Sequence, residues 1–347
     1  MATGALSSIP RAPHRRAAWL EQSPIEPTTM PLNATISEMF DKMAAAGRPA
    51  LSAGSPGAAR VLTAASRAGL GLGPEMHAVT ALSIPTRSGA IGARLLRPAV
   101  QVDGLVVYLH GGGWVVGELD DYDTMARTLA ARSGCALLMP DYRLAPEHRF
   151  PAGLEDAEDA IIWAAVHTEE LAGAGLPLLV AGDSAGANLA TVALQALAGR
   201  LSVAGQLLVY PVTDADFTRD SYLSCSDGMQ LTRADMQWFF AHYAPAELHD
   251  DPRISPLRRV DLAGMPPTVV CTAECDVLRD EGEAYAARLA AAGVETSHRR
   301  FDGLPHGFIR LHNLVAAADA ALSGIAADLA GLAHCVRQAD PTRERQP

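Results

Sequence analysis

The clearest pattern in the chain is an alternation of short apolar runs with longer segments of helical periodicity, which begins near residue 76. Short apolar runs are typical of buried strands, and strands that alternate with helices indicate βαβ units and a mostly parallel sheet. The sequence therefore predicts an α/β fold. The predicted strands are 76–84, 88–97, 104–109, 135–140, 178–181, 204–210, 267–273 and 294–301, and the predicted helices are 120–133, 153–167, a helix beginning at Ala185, 280–292 and 313–333.

Two segments interrupt this alternation. Residues 30–73 precede the first strand and read as one or two helices, and residues 213–263 form an insertion whose helix begins at a capping-box-like Thr232. In both segments large apolar residues recur at helical spacing, which fits either packing on the core or a cap over a pocket. These residues are Ile36, Met39, Phe40 and Met43 in the first segment, and Met236, Phe239, Phe240 and Tyr243 in the second.

No repeat or low-complexity linker divides the chain, so we expect a single domain over residues 30–335. Its cap is predicted from about 30–73 and 213–263. Residues 1–29 are rich in proline and arginine and lack an apolar signal-peptide core, so we interpret them as a disordered extension, and 336–347 as a polar tail. Met30 is an alternative start of translation.

Composition excludes several classes of protein. The chain has 347 residues, of which 49% are hydrophobic, and its net charge of −11 argues against a nucleic-acid partner. No run of 18 uncharged apolar residues is present, so stable membrane insertion is not expected. The five cysteines are odd in number and irregularly spaced, which favours reduced thiols, a cytoplasmic location and no zinc site.

The strongest chemical signal is Gly-Asp-Ser-Ala-Gly at residues 182–186, between a predicted strand and a predicted helix. Gly-x-Ser-x-Gly in this context forms a sharp, strained turn that exposes the serine above the sheet at a helix N-terminus. We therefore predict Ser184 as a nucleophile. A second signal is His110-Gly-Gly-Gly-Trp114 after a buried strand. Its bare backbone N–H groups are suited to an oxyanion hole, although the same glycines would also suit a flexible turn.

A serine nucleophile needs a base and an orienting acid, and in this type of fold the acid precedes the histidine along the chain. Of the eleven histidines, His306 alone follows the nucleophile in a Pro/Gly-framed loop after the last strand. His298 lies within a predicted strand, His312 and His334 lie in the predicted closing helix, and His110 begins the glycine loop.

Three carboxylates compete for the role of the acid. Asp276 directly follows a buried strand, whereas Asp280 is better explained as the N-terminal acid of the next helix, and Glu274 is a weaker rival. We predict Ser184, His306 and Asp276 as the catalytic residues, with backbone N–H groups of Gly112, Gly113 and Ala185 as oxyanion donors. This chemistry requires no metal or cofactor.

These motifs together resemble the bacterial hormone-sensitive-lipase-like family of α/β-hydrolase carboxylesterases. The matching stretches occur in the family's order over about residues 30–333: His110–Trp114, Asp141-Tyr-Arg-Leu-Ala-Pro-Glu147, 182–186, Tyr210-Pro211, Asp276-Val-Leu-Arg-Asp280 and Pro305-His-Gly-Phe308. The resemblance implies an α/β-hydrolase fold with a helical cap, the same triad and donors, and hydrolysis of short- to medium-chain acyl esters. Asp276-Val277 departs slightly from the family's more usual Asp-Pro.

Other functions remain open at this point. Plant hormone receptors similar to this family bind a ligand without hydrolysing it, but they generally lose the triad histidine, which is present here as His306. An acyltransferase or an amidase would use the same triad. The physiological substrate and the oligomeric state do not follow from the sequence, although an exposed last strand would offer an edge for a homodimer.

Overall fold

The computed structural model describes residues 31–226 and 228–339, which are built around an eight-stranded sheet. The strands are β1 Ala78–Thr86, β2 Gly89–Arg97, β3 Leu105–Leu109, β4 Ala136–Pro140, β5 Leu178–Asp183, β6 Gly205–Val209, β7 Thr268–Cys275 and β8 Thr296–Pro305. Their order is β1-β2-β4-β3-β5-β6-β7-β8. The β1–β2 and β2–β4 pairs are antiparallel and all other pairs are parallel, which confirms the predicted fold class.

Helices cover both faces of the sheet. They are α1 Ala34–Ala45, α2 Pro56–Ala65, α3 Arg67–Leu70, α4 Leu119–Ser133, α5 Ala152–Leu171, α6 Ala185–Leu197, α7 Asp220–Ser224, α8 Arg233–Tyr243, α9 Arg279–Ala291 and α10 Ala316–Ala339. Short 3₁₀ helices lie at Leu51–Ala53, Ala246–Leu248, Pro256–Arg258 and Phe308–Leu311.

The core consists of two apolar layers, one on each face of the sheet. Leu105, Val107 and Leu109 of β3 pack into the layer formed with α5, α6 and α9, whereas Val106 and Tyr108 pack into the layer formed with α4 and α10. Successive side chains of a strand point to opposite faces, so a strand covered on both faces must be apolar throughout. This explains the continuous apolar runs in the sequence.

Helix α10 closes the layer that contains α4. Its segment Ala316–His334 is, within the described chain, the one helix long and apolar enough to cross a membrane by length and composition. Its side chains Ala318, Leu322 and Leu329 are instead fully buried in the core of the domain. The helix continues to Ala339, into the predicted polar tail, and the predicted extension at 1–29 lies outside the described residues.

The structure also shifts the predicted end of the last strand. Strand β8 continues to Pro305, beyond the predicted end at residue 301, so His306 follows it directly. His312 lies in the turn before α10 and not within that helix as predicted.

Strand β8 is at one edge of the sheet, as a dimer through this strand would require. Of the cysteines whose side chains are described, Cys135, Cys225 and Cys271 are buried and Cys275 is partly buried.

The loop between β4 and α5 supports the glycine loop that follows β3. Asp156 is completely buried and accepts hydrogen bonds from the Arg143 backbone N–H at 2.9 Å and from Nε of the same residue at 2.8 Å. Arg60 of α2 pairs with Glu147 at 2.6 Å, and the Ala145 N–H donates to the Trp114 carbonyl at 2.8 Å. The loop is therefore held by ion pairs.

We expect Asp156→Asn to lower the free energy of unfolding by about 2–4 kcal/mol, because it leaves the charge of Arg143 without its buried partner. Urea-induced unfolding measures this loss. Asp319→Asn is the matched control, since Asp319 pairs with Arg132 at the surface and should contribute only about 0–1 kcal/mol. Equal losses in the two variants would contradict this account of the loop.

Glu281 anchors the segment that follows β6. It is completely buried, and its Oε1 accepts the backbone N–H groups of Thr213 at 2.7 Å and Asp214 at 3.2 Å. Burial raises the pKa of Glu281 from about 4.5 to about 8, and the two backbone hydrogen bonds only partly oppose this rise.

Because the pKa of Glu281 is higher in the folded state, the folded protein binds the extra proton between pH 4.5 and 8. Stability is therefore favoured at low pH and decreases as pH rises through this window, by up to about 1.4 kcal/mol per pH unit. We expect wild type to lose stability relative to Glu281→Gln between about pH 5 and 8, measured by urea unfolding at several pH values. Parallel stability curves would show that this carboxyl does not titrate in the window.

Candidate active site

Ser184 lies at the sharp turn between β5 and α6. Its backbone has φ 55° and ψ −120°, a conformation that non-glycine residues rarely adopt, and its N–H donates to the Val209 carbonyl at 2.9 Å. A Cβ on Gly182 would lie 2.6 Å from the backbone of Gly186, and a Cβ on Gly186 would collide with the Leu109 carbonyl. The two glycines therefore let α6 approach the ends of β3 and β5, as this motif predicts.

Three of the predicted site residues form a continuous chain of hydrogen bonds. His306 Nε2 lies 3.0 Å from Ser184 Oγ, and His306 Nδ1 lies 2.7 Å from Asp276 Oδ2. Asp276 is 1% exposed, and its Oδ1 accepts the Leu278 N–H at 2.9 Å, which fixes the carboxylate. The ring of Tyr210 packs against the imidazole at a centroid distance of 4.5 Å. The arrangement can take a proton from the serine and stabilise the resulting imidazolium.

The two rival carboxylates are engaged elsewhere. Glu274 accepts the Gly303 N–H through Oε2 at 2.8 Å. Asp280 accepts the Ser221 N–H at 2.7 Å and pairs with Arg279 at 2.9 Å in the first turn of α9. Asp276 is therefore the one of the three candidates whose carboxylate is hydrogen-bonded to His306.

The glycine loop presents free backbone donors beside Ser184. Gly112 has φ 108° and Gly113 has φ 58°, and the N–H of neither residue donates a hydrogen bond to the described part of the chain. Both residues and Ser184 line one cavity. Ala185 is the first residue of α6, so its N–H has no partner within the helix. The structure thus brings the three predicted oxyanion donors to the nucleophile.

Asp183 holds this loop in place, a role that the sequence analysis missed. Its Oδ1 accepts the Gly111 N–H at 3.0 Å and the Tyr108 hydroxyl at 2.9 Å. Burial raises the pKa of Asp183 to about 6, because the side chain is only 3% exposed and its hydrogen bonds do not fully offset desolvation. The position directly before the serine of the Gly-x-Ser-x-Gly motif was the available signal.

His110 is a structural member of the same loop. Its ring stacks between Tyr122 and Tyr142 at centroid distances of 5.0 and 4.6 Å, and its Nδ1 lies 2.7 Å from the Gly111 carbonyl. Burial lowers the pKa of His110 to about 4, so the ring is neutral at physiological pH and Nδ1–H donates to that carbonyl.

A cavity of about 500 Å³ opens in front of Ser184 and His306. Met39, Phe40 and Met43 of α1 line it, so these residues cover the pocket, while Ile36 is fully buried in the core. Helices at the N-terminus thus form a cap, as predicted.

The structure also decides between the two interpretations of α8, packing on the core or lining the pocket. Met236 and Phe239 line the cavity, whereas Phe240 and Tyr243 pack on Trp114 at ring distances of 5.1 and 4.2 Å.

Among residues 31–226 and 228–339, no group of three or more histidine, cysteine, aspartate or glutamate side chains is arranged to hold a metal ion.

The fold and the nucleophile turn define an α/β hydrolase, and comparisons identify the family. Residues 106–310 match the family described as having an alpha/beta hydrolase fold. The chain is 41% identical over 254 residues to carboxylic ester hydrolase LipN of Mycobacterium tuberculosis, covering 70% of this chain and 67% of that protein. It is 38% identical over 262 residues to ethyl acetate hydrolase of Pseudomonas putida, covering 73% and 82%.

Solved structures agree with this assignment. A thermostable esterase from Pseudomonas putida superimposes with a TM-score of 0.83 at 33% identity, covering 87% of this chain and 98% of that one. The chain belongs to the hormone-sensitive-lipase-like family of α/β-hydrolase carboxylesterases.

We expect Asp183→Ala to lower kcat by about 100-fold with little change in KM, because the loop carrying the oxyanion donors loses its anchor. Steady-state kinetics on a simple aryl ester, with circular dichroism to verify folding, measures the effect. Tyr108→Phe is the matched control: it removes one of the two hydrogen bonds to Asp183, and the loss should stay below about tenfold. A similar loss in both variants would indicate that the Gly111 contact does not position the donors.

Proposed function

We propose that this carboxylic ester hydrolase cleaves short- to medium-chain acyl esters through an acyl-enzyme intermediate on Ser184. The observation that carries the proposal is the chain of hydrogen bonds from Asp276 through His306 to Ser184, at 2.7 and 3.0 Å. Beside it lie the backbone N–H groups of Gly112 and Gly113, which have no acceptor among the described residues. The family of the chain supplies independent support for ester chemistry.

In the first half of the reaction, His306 Nε2 takes the proton of Ser184 Oγ as the oxygen attacks the ester carbonyl. The negative charge that develops on the carbonyl oxygen is stabilised by the N–H groups of Gly112, Gly113 and Ala185, and each such donor contributes about 2.7–4 kcal/mol in comparable sites. Asp276 keeps the proton on Nδ1 of the imidazole and stabilises the imidazolium. His306 then protonates the departing alcohol.

In the second half, water takes the place of the alcohol. His306 removes a proton from the water, the resulting hydroxide attacks the acyl carbonyl, and the same donors stabilise the second oxyanion. Collapse of this intermediate breaks the bond to Ser184 Oγ, which regains its proton from His306, and releases the carboxylic acid. Every proton therefore passes through one imidazole, whose orientation Asp276 fixes.

The chain-length preference rests on the cavity and on the relatives. A volume of about 500 Å³ enclosed by Met, Phe and Leu side chains suits a short or medium acyl chain better than a long one. One of the relatives is named for ethyl acetate, which has a two-carbon acyl group. The irregular spacing of the five cysteines supports the cytoplasmic location that we propose. The edge position of β8 supports a proposed homodimer.

Hydrolysis of a series of p-nitrophenyl esters from acetate to palmitate tests this function. We expect kcat/KM to be highest for the shorter chains, and Ser184→Ala to reduce kcat at least about 10⁴-fold, because the nucleophile is absent. Ser323→Ala on the outer face of α10 is a matched control, since the hydrogen bonds of its hydroxyl within the described part of the chain are to the Asp319 carbonyl and Arg132. Absence of hydrolysis by folded wild type at every chain length would overturn the proposal, and a maximum at palmitate would overturn the chain-length preference.

A further inference from the structure

The active-site cavity contains a cation that the proposed mechanism does not use. Arg310 lies in the 3₁₀ helix Phe308–Leu311, four residues after His306, and lines the same cavity as Ser184. Its guanidinium carbon is 4.9 Å from the centre of the Tyr122 ring, and its Nη2 donates to Ser66 Oγ at 3.3 Å. These contacts hold the side chain against the wall of the pocket.

Within residues 31–226 and 228–339, no carboxylate forms an ion pair with Arg310, and its buried Nε has no hydrogen-bond acceptor. Buried cationic groups are normally paired, since a charge without a partner is costly to desolvate. Acidic residues are plentiful in this chain, whose net charge is −11. Several arginines elsewhere have such partners, as Arg143 has in Asp156 and Arg87 in Asp159. Among the described residues Arg97 and Arg233 also have a buried Nε without an acceptor, but Arg310 differs from both in lining the cavity of Ser184.

Among the described residues, the carboxylates that line the cavity are Asp183 and Asp235, and other groups engage both of them. Asp183 accepts Tyr108 and Gly111, and Asp235 accepts the Thr232 hydroxyl at 2.7 Å and the Ser52 N–H at 2.9 Å. Arg48 is the other arginine at this cavity, but it is exposed, so water and salt screen its charge. The partly buried charge of Arg310 therefore lines the pocket with no described carboxylate in ion-pair contact, and it interacts with Asp183 only at longer range.

We propose that Arg310 recognises a negatively charged group of the substrate, and that the preferred esters of this enzyme carry a carboxylate in their acyl or alcohol part. This inference rests on the proposed ester hydrolysis at Ser184. A guanidinium offers a planar fork of N–H donors that matches the two oxygens of a carboxylate. One partly buried cation balances one negative charge, which favours a carboxylate over a phosphate dianion.

A purely structural role is the competing explanation. Through Ser66, Arg310 links the α2–α3 junction of the cap to the hydrolase core, and its charge also lowers the pKa of Asp183. If these were its only roles, substitution would change the rates of charged and neutral esters by the same factor. The ratio of the two rates separates the explanations.

The experiment uses two pairs of esters that differ in charge but little in shape. The mono-p-nitrophenyl ester of adipic acid is paired with p-nitrophenyl 6-methylheptanoate, which tests the acyl side, and 4-acetoxybenzoate is paired with 4-isopropylphenyl acetate, which tests the alcohol side. Wild type, Arg310→Gln, Arg310→Lys and Arg48→Gln are compared. For each protein we take the ratio of kcat/KM for the charged ester to kcat/KM for the neutral ester. The intrinsic reactivity of each ester is the same with every protein, so it cancels when the ratios of two proteins are compared.

For at least one pair, we expect Arg310→Gln to lower this ratio by about tenfold or more, chiefly through KM, because a charge-assisted hydrogen bond is lost. Arg310→Lys should restore part of the ratio, and Arg48→Gln should change it by less than about threefold. An unchanged ratio in Arg310→Gln for both pairs overturns the inference while leaving ester hydrolysis intact.

Two further outcomes are decisive. If wild type hydrolyses none of the four esters, the proposed function itself fails. If Arg310→Gln does not fold, wild type alone still tests the inference. For each ester, kcat/KM of wild type is divided by the rate constant of alkaline hydrolysis of the same ester. The inference requires this normalised value to be higher for the charged ester than for the neutral ester in at least one pair. A wild-type preference for both neutral esters overturns the inference.

Discussion

The close approach of α6 to the carboxyl ends of β3 and β5 is the constraint on which the rest of the site depends. It requires glycine at 182 and 186, because a Cβ at either position would meet backbone atoms. It also forces Ser184 into its strained conformation. As a result, the Ser184 hydroxyl, the first N–H of α6 and the glycine loop lie around the same point. A substrate carbonyl oxygen at this point could be polarised by the N–H groups.

Electrostatics in this region depends on buried groups that never touch the reacting atoms. Asp183 ties the glycine loop to the strand beneath it, and its burial raises its pKa to about 6. His110 is kept neutral by burial between two tyrosines, with its pKa lowered to about 4. Arg310 adds a positive charge at the cavity wall. The position of the donors and the local field are thus set by the layer directly behind Ser184.

Helix α8 combines two structural roles. On α8, Met236 and Phe239 line the cavity while Phe240 and Tyr243 pack on Trp114 of the glycine loop. One apolar face thereby shapes the pocket and at the same time packs against the loop that carries the proposed oxyanion donors. Changes in the cap that alter the pocket are therefore also transmitted to the catalytic loop by direct packing.

The sequence by itself determined the α/β class, the buried strands and the position of Ser184, since strand periodicity and the two glycines of the turn are local features. It also placed His306 and Asp276 after strands. Only the tertiary structure decided which carboxylate meets the imidazole, because this depends on how β7 and β8 pair, and their register is irregular between Ala273 and Cys275. The roles of Asp183 and Arg310, and the split of α8 between pocket and core, were likewise decided by contacts between residues far apart in the chain. Helical periodicity shows that a face is apolar, but not what it packs against.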